Sequence, residues 1–116
     1  MTLIFYTTRF LNGHAGTVKV FLIPVIFIDP KYKDDVGLYE HEYTHVKQAF
    51  RNIIPLIHTL RYKLSKSYRL KCEVEAYKTQ LDYYADDRSL LFASFIANDY
   101  GLSVPVKDAL SLLQEQ

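Results

Sequence analysis

Asp34-Asp35-Val36-Gly37-Leu38-Tyr39-Glu40-His41-Glu42-Tyr43-Thr44-His45-Val46-Lys47-Gln48 is the stretch around which this chain is organised. Asp34 or Asp35 reads as a helix N-cap, because a short acidic side chain accepts a hydrogen bond from a free N–H of the first turn, and Glu40 and Glu42 follow early. His41 and His45 are four residues apart, which on a helix puts both imidazoles on one face, one turn above the other. That is ligand geometry for one metal ion. Glu42 lies about 100° round the helix from His41 and borders such an ion without ligating it. Zinc suits neutral imidazole and acidifies water, and a glutamate so placed removes a proton as that water attacks a carbonyl. His41 and His45 are therefore expected to bind one Zn2+ ion, with Glu42 as the catalytic base. Two histidines and a glutamate also occur on solvated helix faces, but this pattern arises by chance about once in a few hundred sequences of this kind.

Working outward, the motif helix (34–54) should run to about Ile53, since Pro55 disfavours helical geometry at Ile54. Pro55 opens a short helix containing His58 and ending near Leu64. Ser65-Lys66-Ser67 caps a third helix, Tyr68 to Ala85, within the segment 67–86. Asp86-Asp87 punctuates the chain ahead of the C-terminal helices (88–116). One runs from Leu90 to Tyr100 and is ended by Gly101; the last, Val106 to Gln114, is opened by Ser103 and Pro105. Upstream, Thr2 to Phe10 and Thr17 to Ile28 are rich in β-branched and aromatic residues and flank Asn12-Gly13, a hairpin signal. An antiparallel pair (1–28) is expected, with His14 exposed in the turn and the second strand at an edge or bulged at Pro24. The fold class is α+β: a small N-terminal hairpin packed on four to five helices, one domain over 1–116.

Composition narrows the function. With 49% hydrophobic and 23% charged residues the chain has ordinary globular usage, which excludes disorder. A net charge of +1 argues against a dedicated nucleic-acid partner. Ten Tyr and seven Phe fit a tyrosine-rich core, or else a tyrosine-lined cleft. Cys72, the single cysteine, excludes an intramolecular disulfide and reads as core. The N-terminus lacks a signal-peptide pattern, and the longest apolar run, Val20 to Ile28, is far below the roughly 20 residues of a spanning helix. No membrane partner and a cytoplasmic location are expected.

Catalytic zinc usually has three protein ligands and a water. Three and six residues after His45 stand Gln48 and Arg51, not the Gly and His of a metzincin. Glu73, Glu75 and His58 remain. Leu70, Val74, Tyr77, Leu81 and Tyr84 recur at helical spacing and define a buried face, from which Glu73 falls about 60° and Glu75 about 140°. A carboxylate beside a buried stripe is costly unless it is paired or coordinates a metal, so Glu73 is the expected third ligand and Glu75 the alternative. Against that stands a Glu73 charge that reaches solvent or pairs with Lys78. His58 reads as a packed or surface histidine.

With His41-Glu42-Tyr43-Thr44-His45 followed by Glu73-Val74-Glu75-Ala76-Tyr77, the chain resembles the gluzincin zinc metallopeptidases, whose third ligand is a glutamate on a downstream helix. Glu73-Val74-Glu75-Ala76 matches their Glu-x-x-Ala-Asp or Glu-x-x-Ala-Asn pattern except that Tyr77 replaces the last residue. The resemblance favours Glu73; the departure removes a side chain that commonly orients a zinc-bound histidine, a role left to Asp82 or a backbone carbonyl. In size and element order the chain is similar to minigluzincins and to short peptidase-like chains of bacteria and bacteriophages, over about Ile26 to Leu81. For a phage-encoded chain this implies the host cytoplasm. The resemblance also implies a peptide substrate bound antiparallel along an edge strand, here Val20 to Ile28, and a latent form in some members, with a terminal segment such as that after Gly101 in the cleft.

An oxyanion donor is expected beside the metal; Tyr77 and Tyr84 are candidates that also read as core. The leading expectation is a hydrolase of peptide or related amide bonds. The alternative is a non-catalytic module stapled by zinc, or a latent, zymogen-like one.

Overall fold

The computed structural model describes residues 3–9, 11, 14–20 and 24–115. It is an α+β fold in which a three-stranded mixed sheet precedes five helices. Strands β1 (Leu3–Tyr6), β2 (Gly16–Val20) and β3 (Pro24–Ile28) take the order β1-β3-β2. β2 and β3 pair antiparallel, with Gly16 opposite Ile28 and Val18 opposite Ile26, and β1 pairs parallel with β3, with Ile4 opposite Ile26.

This corrects the single antiparallel pair. Asn12 and Gly13 lie outside the described residues, but β1 and β2, which flank them, are not neighbours. The apolar run to Ile28 is twice a usual strand length, and it divides into two strands. Its second half alternates Pro24, Ile26 and Ile28 into the interior, with Ile26 and Ile28 almost fully buried, so it takes the central place where both edges are paired. Pro24 is tolerated because it is the first residue of β3. Within the expected 20–28 edge strand, Pro24–Ile28 is thus the central strand and Val20 belongs to β2; among the described residues β2 is the edge strand on one side of β3 and β1 on the other.

Helix α1 (Val36–Arg51) starts at Asp35, whose Oδ1 accepts from the Leu38 N–H at 3.0 Å. It packs under the sheet through Leu38 and Val46, which join Ile26 and Ile28 in one core cluster. Ile54 is extended, as the residue before proline should be, and α2 (Pro55–Leu64) follows with Pro55 in its first turn. Ser65 caps α3 (Lys66–Leu81), its Oγ accepting from the Tyr68 N–H at 3.1 Å. α3 stops four residues before Ala85, because Tyr84 turns back and donates to Asp35 at 2.7 Å while accepting from Gln80 at 2.8 Å. Its ring covers Gly37, where a Cβ would lie 2.7 Å from Tyr84 Cζ, so only glycine admits this contact.

α4 (Ser89–Asp99) and α5 (Val106–Gln114) close a second core cluster with α3, built on Tyr77, Phe92, Ile96, Leu102 and Leu113. Gly101 takes a φ of +65° after α4, the left-handed conformation expected of it. Arg69 ties these pieces together, its guanidinium donating to the carbonyls of Tyr62, Lys63 and Tyr100. α1 and α3 pack against each other between the two clusters, and that seam holds the motif residues.

Candidate metal centre

His41 and Glu42 on α1 and Glu73 on α3 are buried, while the His45 side chain keeps 11% exposure. His41 Nε2 and His45 Nε2 are 3.3 Å apart. Glu73 Oε1 lies 3.4 Å from His41 Nε2, and Glu73 Oε2 lies 3.3 Å from His45 Nε2. Donors at about 2.0 to 2.1 Å from a tetrahedral ion are separated by about 3.3 to 3.4 Å, so the observed spacing fits one ion at the centre of the three side chains. Two imidazoles and one carboxylate, with ligand atoms all within 4.8 Å of one another, could hold a metal ion. Glu73 Oε1 and His41 Nδ1 are buried without a hydrogen-bond partner among the described residues; for the carboxylate oxygen, coordination would remove the cost.

Burial of Glu73 arises because α3 presents Cys72, Glu73, Ala76, Tyr77 and Gln80 inward. The centre of that set is about 100° round the wheel from the stripe through Leu70, Val74, Tyr77 and Leu81, and Glu73 stands about 30° from it. The residues of that stripe other than Tyr77 are half-buried against α4 and α5, while the deeper face meets α1. Glu75 is elsewhere: its carboxylate takes two hydrogen bonds from Arg51, at 3.0 and 2.7 Å, and one from Gln48 at 2.9 Å. It is not brought into the His41, His45, Glu73 group. His58 is also outside it, buried with Nδ1 at 2.8 Å from the Tyr68 hydroxyl, and burial holds its pKa down at about 4.

Gln48 settles how His45 is presented. Its Nε2 donates to the Cys72 carbonyl and to Glu75 Oε1, both acceptors, so Oε1 faces His45 Nδ1 at 2.9 Å and must receive its proton. Nε2 of His45 is then turned to the shared centre. Only position in the sequence hinted at this, because Gln48 lies one turn after His45 on the same helix. Tyr62, also unforeseen, donates to Glu73 Oε2 at 2.5 Å from α2. Where the sequence lacks an acid at 77, the Tyr77 ring packs edge-on against His41 with centroids 4.3 Å apart, and its hydroxyl pairs with that of Tyr100 at 2.8 Å. Asp82 is exposed at the end of α3 and is not among the bonding partners of His41 or His45 within the described residues. Tyr84 is committed to Asp35 and Gln80.

Burial lowers the pKa of His45, but the charge of Glu73 and its hydrogen bond outweigh that and push it up to about 9. Burial likewise opposes ionisation of Glu73, yet the two histidines hold its carboxyl far below the usual range. Glu42 is raised, first by burial and then by Glu73, with His41, His45 and His14 pulling the other way. Its Oε1 is 3.8 Å from His41 Nε2, and its Oε2 has no hydrogen-bond partner among the described residues. Glu42 fits there because Gly16 carries no side chain: a Cβ would stand 3.1 Å from Glu42 Cγ.

A cleft of 530 Å3 opens over these groups, walled by Gly16 to Lys19 of β2 on one side and by His58 and Tyr62 of α2 on the other. His14 lines it too, half-buried and stacked on Tyr100 at 5.6 Å, not exposed in a turn. The reason is the sheet order: β1 and β2 are not paired with each other, and between them Leu11 is buried, its carbonyl accepting from the His14 N–H at 2.9 Å. Among the described residues, none after Gly101 lines the cleft. Leu102, Ala109 and Leu113 belong to the second core cluster.

Comparison of the chain with family models, with curated proteins and with solved structures found no match.

Proposed function

We propose that the protein is a zinc-dependent hydrolase of peptide or related amide bonds, with His41, His45 and Glu73 as ligands and Glu42 as general base. The observation that carries this is the 3.3 Å between the His41 and His45 Nε2 atoms and the 3.4 and 3.3 Å from them to the two Glu73 oxygens, with the Glu42 carboxylate buried beside them. Two imidazoles and a carboxylate with an open position are a catalytic zinc set, and the resemblance to gluzincin peptidases implies the same roles. When bound, zinc supplies a Lewis acid that acidifies water and polarises a carbonyl.

The side chains do the rest. Glu42, raised by burial, is matched to taking a proton from the attacking water and passing it to the leaving amine. Its unpartnered Oε2 is the atom available for this. Tyr62 and Gln48 hold Glu73 and His45 in register. An extended substrate would lie along the edge of β2 that is unpaired among the described residues and lines the cleft, rather than along Pro24–Ile28; main-chain hydrogen bonds would hold it there.

Glu42→Gln removes the base and leaves every ligand. Zinc content should stay at one equivalent while hydrolysis of a peptide library falls about 10²- to 10⁴-fold; undiminished turnover would overturn the assignment. Stoichiometric zinc with no cleavage by the wild-type chain would support the stapled module instead.

A further inference from the structure

The positive charge of this chain is segregated. Seven of its fourteen Lys and Arg, and none of its thirteen Asp and Glu, fall between residues 43 and 72. On folding, that stretch forms most of α1, all of α2 and the start of α3. Its outer surface is also apolar: Phe50, Ile53, Ile54, Leu56, Leu60 and Leu64 are exposed, Ile53 by 93% and Leu64 by 81%.

On α2 these features are ordered. His58 and Tyr62 face the cleft, and the direction opposite them on the wheel is occupied by Leu56, Leu60 and Leu64, a row at i, i+4, i+8. Lys63 falls about 60° to one side of Leu60 and Arg61 about 100° to the other, so cations flank the leucines on both sides. Lys63 and Lys66 make no ion pair among the described residues. Six large aliphatic and aromatic side chains exposed between residues 50 and 64 are more than the singly scattered apolar residues of an ordinary surface.

We propose that this face, the outer side of α2 with the preceding Phe50 to Ile54, docks on an anionic lipid bilayer. An apolar row with basic flanks suits an interface that is apolar beneath and negatively charged at its surface. A nucleic acid or an acidic peptide needs the cations at the centre of the contact, where the leucines stand. A second copy of the chain would bring two faces of like charge together. No spanning segment is required, and among the described residues no helix is long and apolar enough to cross a membrane. Because the inner side of α2 carries Tyr62, which holds Glu73, docking would present the cleft beside the membrane surface.

The test is flotation of the full chain with phosphatidylcholine vesicles with and without phosphatidylserine, at low and high salt, and it reads binding alone. Binding to the anionic vesicles only, weakened by salt, is expected. Leu60→Glu with Leu64→Glu should reduce it at least about ten-fold, while Leu90→Glu with Leu91→Glu, on exposed leucines of α4, should leave it unchanged. Circular dichroism checks that both variants fold. Failure to float, equal binding of the Leu60 and Leu64 variant, or an α2-dependent dimer or a complex with nucleic acid or acidic protein in place of vesicle binding would each overturn the proposal.

Discussion

Metal binding at this centre must displace a proton, and the size of that effect follows from His45. Glu73 raises the imidazole to about 9 in the metal-free protein, and a ligand nitrogen has to be deprotonated. At pH 7 that lowers apparent zinc affinity about 100-fold below its alkaline limit. Affinity should therefore rise about ten-fold per pH unit from 6.5 to 8.5 and flatten near 9. The stability of the metal-free chain should move the other way. A folded-state pKa raised above the unfolded value of about 6.5 gives stability that is full below 6.5 and lost as pH rises through 9, amounting to no more than about 3 kcal/mol. Calorimetric titration with chelator-buffered zinc, in buffers of differing ionisation enthalpy, should report about one proton released per ion at pH 7.5. Release of none, with an affinity flat in pH, would refute the coupling of His45 to Glu73.

Gln48→Leu should lower zinc affinity about 10- to 100-fold without abolishing it, because His45 Nδ1 loses the acceptor at 2.9 Å that directs its other nitrogen inward; competition with a chelator reads the change. Gly16→Ala puts a Cβ 3.1 Å from Glu42 Cγ and 3.3 Å from its Oε1, so zinc content should hold while kcat falls about ten-fold or more through displacement of the carboxylate; parallel metal analysis and kinetics separate the two.

Helical parts of this fold were readable because their signals are local. Pro55 and Leu64 bound α2, Val106 and Gln114 bound α5, and Ser65 caps α3, all from proline and capping chemistry that acts within one turn. The four-residue spacing of His41 and His45 and the inward position of Glu73 follow from helix periodicity in the same way. Strand order was not readable, since whether β1 lies beside β2 or beyond β3 depends on which run can be buried along both edges, a property of the assembled sheet. The same limit hid His14, whose place at the cleft follows from that order. Gln48 was visible as the residue that excludes a metzincin pattern and as one turn after His45; its bonds to Cys72 and Glu75, which fix its amide toward His45, needed α3 in position.

At the centre of the account is one ion held jointly by two turns of α1 and by Glu73 of α3. Titrating Co2+ into the metal-free chain, and into Glu73→Gln and Glu75→Gln, tests it most directly, because the cobalt spectrum reports coordination as well as stoichiometry. One equivalent with a four-coordinate visible spectrum is expected for the wild type and for Glu75→Gln, with binding lost or weakened at least about 100-fold in Glu73→Gln. Substoichiometric binding by the wild type, or Glu73→Gln binding as tightly as the wild type, would contradict it.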